Sequence, residues 1–98
     1  MNPLDTVEFF NLRCFQDKKG NLVPVEGNQD IPFQIKRSFY IYDVPSNTVR
    51  GFHAHKKTEQ VLICINGKCK ITCKDENDKV EFILDAPSKA VYVPNGID

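Results

Sequence analysis

The chain has 98 residues, 41% apolar and 27% charged, with 13 Lys and Arg balanced by 13 Asp and Glu for a net charge of zero. That length holds one domain, expected over residues 1–98, and the balanced charge removes the electrostatic case for nucleic acid or an anionic membrane surface as partner. No run approaches the roughly 18 apolar residues of a membrane span, and the opening Met1-Asn2-Pro3-Leu4-Asp5 lacks the basic and apolar regions of a signal peptide, so a cytoplasmic protein is expected.

In chain order the hydrophobic period is two, which predicts strands. Residues 6–15 and 20–25 read as two strands joined by the turn Asp17-Lys18-Lys19-Gly20. Asn28-Gln29-Asp30 punctuates, and Ile31-Pro32 opens an extended segment, because proline disfavours helix in the residue before it. Residues 33–43 alternate apolar and polar and predict a strand. Pro45-Ser46-Asn47 then turns the chain into a further strand over 48–55. The sharpest local signal is Asn66-Gly67 between Val61–Ile65 and Lys68–Cys73, which predicts a two-residue hairpin. The second arm places Cys69, Ile71 and Cys73 on one face and Lys68, Lys70 and Thr72 on the other. A polar turn over 74–79 leads to a strand at Val80–Leu84, and Ala86-Pro87-Ser88 leads to another at Ala90–Val93. Many short strands without an amphipathic helix give an all-β sandwich or barrel.

The four cysteines (Cys14, Cys64, Cys69, Cys73) form no Cys-x-x-Cys pair and fit no zinc-knuckle spacing, so they are expected to be reduced and to pack as small apolar side chains. Both histidines fall in Arg50-Gly51-Phe52-His53-Ala54-His55-Lys56-Lys57. Residues two apart on a strand share a face, so His53 and His55 are expected to converge, with Gly51 allowing a bulge or a close backbone approach. Glu59 follows four residues later. Two imidazoles and a carboxylate suit metal ligation or proton transfer near neutral pH, and the residues alone leave both open.

The spacing of His53, His55, Glu59 and Gly67 resembles the first cupin motif. The end of the chain, Pro94-Asn95-Gly96-Ile97-Asp98, follows the second motif to one residue short of its histidine. Within that superfamily, IPFQIKRSFYIYD (31–43) and RGFHAHKKTEQVL (50–62) resemble the dTDP-sugar 3,4-ketoisomerases of the WxcM-like family. So do Asp17, Gly20-Asn21-Leu22, Val25-Glu26 and Tyr92-Val93-Pro94-Asn95, although Lys18-Lys19 stands where an arginine often precedes the early glycine. The resemblance implies a cupin-type antiparallel β-roll or jelly roll, incomplete at its C-terminal end. It further implies a homodimer, here expected to cover the open sheet edge.

The activity implied is metal-free and cofactor-free isomerisation of a dTDP-4-keto-6-deoxyhexose on the way to surface polysaccharide or lipopolysaccharide. His53 would be the base, His55 a proton shuttle or orienting group, and Tyr40 an acid, with Tyr42 the other tyrosine whose direction depends on register. A pyrophosphate calls for guanidinium groups, which makes Arg37 and Arg50 the substrate-binding candidates; Glu59 would orient a histidine. Two alternatives stand beside this reading. One is a non-catalytic sugar-nucleotide-binding module; the other is a metal-binding cupin built on His53, His55 and Glu59.

Overall fold

The computed structural model describes residues 3–49 and 58–94. After a short 3₁₀ turn at Pro3–Thr6, the described strands are β1 (Glu8–Asn11), β2 (Phe15–Asp17), β3 (Gly20–Leu22), β4 (Gln60–Ile63), β5 (Cys69–Lys74), β6 (Lys79–Leu84) and β7 (Lys89–Val93). All pairings among the described strands are antiparallel. β7 lies between β1 and β4 in a three-stranded sheet, β5 pairs with β6, and β2 with β3.

The core lies between the three-stranded sheet and the β5–β6 ribbon. Period two on β7 sends Val91 and Val93 inward, where they meet Leu84 and Cys73, with Leu4 and Val7 closing one end. Leu62, Cys69, Ile71, Val80 and Phe82 pack around this cluster, and Phe9 stacks on Phe82 at 6.1 Å between ring centroids. Leu84, Ala90 and Val91 are fully buried. The opposite face of β5–β6 is polar, with Glu81 accepting ion pairs from Lys70 at 3.0 Å and Lys79 at 3.1 Å.

Several expectations hold. The 17–20 turn is a two-residue hairpin, Asp17 pairing with Gly20, which has φ +126°; the Asp17 carboxylate accepts the Lys19 N–H at 2.7 Å. The 75–78 turn is closed by the Asp75 carboxylate, which accepts N–H bonds from Asn77 and Asp78. β5 alternates as read, with Cys69, Ile71 and Cys73 turned inward and Lys70, Thr72 and Lys74 outward. All four cysteines are free thiols, but Cys14 is exposed rather than packed.

Other expectations are corrected. The strand read over 6–15 is two strands, since the chain breaks pairing at 12–14, where buried Leu12 gives its N–H to Ser88 O at 2.7 Å. The strand read over 20–25 ends at Leu22, ahead of Pro24, which has no N–H for a ladder.

The strand read over 33–43 is absent. Residues 34–45 are irregular, because no described strand offers them a partner ladder, and the segment ends in positive-φ residues at Asp43 (56°) and Asn47 (64°). The strand read over 48–55 is likewise irregular at 48–49, and its remainder lies outside the described residues.

Finally, Asn66-Gly67 does turn the chain, but it does not join a hairpin. Only Gly67 has positive φ (+77°), whereas the two-residue turn that closes a hairpin at Asn-Gly requires it at both positions. β4 instead crosses to pair with β7, from Gln60–Val93 to Ile63–Ala90, so the turn carries the chain from one sheet to the other. β4 is half-buried along its whole length, and that location gives it cover on both faces.

Candidate functional site

The face of the three-stranded sheet that points away from the core carries Glu8, Phe10, Ala90, Tyr92, Val61 and Ile63, as the ladder register dictates. A tight loop at 26–33 lies beside it. Glu26 O accepts the N–H of Asp30 at 2.9 Å, and Phe33 O accepts that of Asn28 at 3.0 Å, with Asn28 in the left-handed region at φ 61°. Gly27 eases the closure: a Cβ there would sit 3.1 Å from both Ile35 N and Phe33 O, so the backbone would have to give by a few tenths of an ångström.

Asp30 ties this loop to the rest of the fold. Its side chain is only 3% exposed and takes a two-pronged bond from Arg13, at 2.6 Å from Nε and 2.9 Å from the second guanidinium nitrogen, plus the Glu26 N–H at 2.7 Å. The Arg13 guanidinium holds this carboxyl below the ordinary carboxylate range, and the Glu26 N–H adds to that. Loop and sheet enclose a depression of about 330 Å³, lined by Glu8, Phe10, the 28–32 loop and Tyr92.

The residues singled out from sequence fall in two groups. His53, His55 and Arg50 lie outside the described residues. Arg37, Tyr40 and Glu59 are described, and all three are exposed. Arg37 lays its guanidinium 4.9 Å from the Phe39 ring centre. Tyr40 is 77% exposed and its ring meets Tyr42 at 6.1 Å, tilted by 41°. The question of which tyrosine faces inward rested on a strand register, and the irregular backbone here leaves both in solvent. Glu59, just before β4, accepts a hydrogen bond at 2.9 Å from the Tyr92 hydroxyl.

Tyr92 is the residue that sequence reasoning matched to the family pattern without giving it a role. Its signal was available: it alternates with Val91 and Val93 on β7, so it faces away from the core, and a tyrosine so placed brings a hydroxyl that needs a partner. It is half-buried, with the Phe33 ring 6.3 Å away. Burial pushes its phenol above the ordinary value of 10, and the bond to Glu59 and the negative charges of Glu59 and Glu8 push it the same way.

Residues 5–98 match the family model described as FdtA: WxcM-like, C-terminal. The chain belongs to this family. It is 48% identical over 83 residues to the TDP-4-oxo-6-deoxy-alpha-D-glucose-3,4-oxoisomerase of Aneurinibacillus thermoaerophilus, a match that covers 85% of this chain and 60% of that protein. Among solved structures it resembles the QdtA sugar 3,4-ketoisomerase of Thermoanaerobacterium thermosaccharolyticum in complex with TDP, with a TM-score of 0.91 and 41% identity, covering 96% of this chain and 69% of that one. It also resembles the WlaRB TDP-quinovose 3,4-ketoisomerase of Campylobacter jejuni, with a TM-score of 0.87 and 38% identity, covering 94% and 71%. The WxcM-like resemblance and the all-β, cupin-type fold read from the sequence both hold.

Proposed function

We propose that this chain acts in the 3,4-ketoisomerisation of a TDP-linked 4-keto-6-deoxyhexose. The observation that carries the reading is the 48% identity to a TDP-4-oxo-6-deoxy-alpha-D-glucose-3,4-oxoisomerase, of whose length the chain spans 60%. A second support is the likeness, at 41% identity, to a variant of the QdtA enzyme in complex with TDP-4-keto-6-deoxyglucose.

The reaction moves a carbonyl from C4 to C3. A base takes the C3 proton, which the neighbouring ketone acidifies; the electron pair forms an enediolate across C3 and C4. The C3 hydroxyl proton is then lost as the C4 oxygen gains one, and a second proton is returned to C4, so two protons leave, two return and the sum of atoms is unchanged. In this reading His53 is the base, since imidazole titrates near the working pH. His55 moves the hydroxyl proton, Tyr40 supplies an acid, and Glu59 orients a histidine. Arg37 and Arg50 take the pyrophosphate, because a guanidinium meets phosphate oxygens in pairs. Proton transfer of this kind asks for no metal or cofactor.

In the same reading residues 1–98 form one cupin-type domain. The domain works in the cytoplasm without nucleic acid or membrane, and its product feeds surface polysaccharide such as lipopolysaccharide. The balanced charge favours the absence of a nucleic-acid partner. It assembles as a homodimer, which the exposed apolar side chains Ile35, Phe39, Ile41, Val44 and Val49 favour.

The test is conversion of TDP-4-keto-6-deoxyglucose followed by NMR in deuterium oxide, where turnover removes the C3 proton and places deuterium at C4. His53→Asn keeps approximate size and polarity but removes the base, and should lower turnover about 10²–10⁴-fold with TDP binding nearly unchanged. Turnover surviving within a few-fold rejects His53 as the base. TDP binding without turnover by the unaltered chain favours a binding module, and a stoichiometric metal favours the metal-binding cupin.

A further inference from the structure

Tyr92 makes contacts that fixing a strand does not require. It sits on β7, the central strand of its sheet, opposite Glu8 on β1 and Val61 on β4. Glu59 is two residues before Val61, hence diagonal to Tyr92 on the same face, where a long side chain reaches its neighbour across the ladder. The Tyr92 hydroxyl donates to Glu59 Oε1 at 2.9 Å. Its ring meets Phe33, which ends the loop pinned by Asp30 and Arg13. Glu59 is the fourth residue after His55, and Phe33 the fourth before Arg37. One side chain of the central strand thus contacts a residue of each motif run, Glu59 in 50–62 and Phe33 in 31–43.

We infer that Tyr92 is a positioning residue for the reaction, holding Glu59 by its hydroxyl and Phe33 by its ring so that both motif runs are anchored to one point of the sheet. The inference rests on the ketoisomerase reading for its catalytic consequence. The hydroxyl matters because an exposed carboxylate with no fixed donor samples several rotamers and cannot hold a partner in one orientation. Glu8, opposite Tyr92 on β1, is the other ionisable side chain that acts on it, and it has no hydroxyl to offer Glu59.

The test compares Tyr92→Phe, Glu59→Gln and the double variant, since Tyr92→Phe removes the hydroxyl and keeps the ring. Tyr92→Phe should lower kcat roughly ten-fold or more, the scale on which lost orientation acts, with KM and TDP affinity within about two-fold. The double variant should be no worse than Glu59→Gln by more than about two-fold, because the two residues act as one unit.

A readout free of turnover comes from the chain having only two histidines, His53 and His55, whose titrations NMR resolves separately. Glu59→Gln removes a negative charge and should lower the midpoint of one of them; Tyr92→Phe should lower the same one. If losses in the double variant simply multiply, or if Tyr92→Phe lowers the melting temperature while both histidines titrate as before, Tyr92 is structural only and the inference falls. If Glu59→Gln moves neither histidine, it also falls. If the unaltered chain has no turnover, the ketoisomerase reading fails separately, and the histidine titrations still judge the Tyr92–Glu59 link.

Discussion

Among the side chains that hold their protons differently from their free counterparts, Asp30 and Cys69 give stability opposite dependences on pH. Asp30 binds its proton less readily when folded, because the charge of its carboxylate is met by Arg13 and by the Glu26 N–H. The stability it contributes is therefore complete above the ordinary value of 3.8 and is lost as pH falls through the lower folded value. Asp30→Asn should leave a chain whose urea midpoint is lower at neutral pH and falls less steeply below pH 4 than that of the unaltered protein. Cys69 shows the opposite sign. Burial, and then the Cys64 thiol beside it, push it from 9.0 up to about 11, so the folded state keeps a proton the unfolded chain gives up. Its contribution is intact below pH 9 and is lost as pH rises towards 11, a window to which Tyr92 adds from above its ordinary value of 10. Cys69→Ala should flatten the decline of the urea midpoint across pH 9–11; an unchanged slope would remove Cys69 as its source.

At the scale of elements, the β5–β6 ribbon and the three-stranded sheet hold together through a few inward side chains. Leu84 on β6 is 0% exposed and packs with Val91 and Val93 of β7, while its neighbour Ile83 points out and is 46% exposed. Leu84→Ala should cost about 2–5 kcal/mol, the transfer term plus a cavity the small core cannot collapse into. Ile83→Ala should cost under about 1 kcal/mol, as surface changes do. Chemical denaturation of both variants measures the difference. Equal losses would mean that the two faces of the ribbon are not the ones assigned.

For the molecule as a whole, the segment over 34–49 is notable for the apolar side chains it leaves exposed. Phe39 is 67% exposed, Ile41 51% and Val49 72%, on backbone that belongs to no described sheet. In the homodimer proposed above, a second copy would lie against this stretch, through added strand pairing or a shared apolar face. Light scattering across a concentration series should show a dimer, and Phe39→Lys or Ile41→Lys should shift it towards monomer. A chain that stays monomeric at high concentration would rule out this assembly.

Alternation within single strands was legible without coordinates. Inward Cys69, Ile71 and Cys73, the hairpin at Lys18-Lys19, the polar 75–78 turn and the last two strands all follow from side-chain period and turn chemistry, which act over a few neighbouring residues. The family was legible too, because IPFQIKRSFYIYD and RGFHAHKK are specific strings whatever their conformation. Partner choice was not. Asn66-Gly67 supplies a turn but does not say which strand β4 joins, and β7, thirty residues on, offered cover that β5 did not. Nor does alternation at 33–43 make a strand, for a strand needs a neighbour to accept its hydrogen bonds, and none of the described strands pairs with that segment. The role of Tyr92 was hidden for the same reason, since its hydroxyl and Glu59 are 33 residues apart and meet only once β4 and β7 are side by side. Local stereochemistry sets faces and turns from the residues in hand; pairing between distant segments is settled by which arrangement buries the most apolar surface while satisfying the backbone, and only the folded chain decides that.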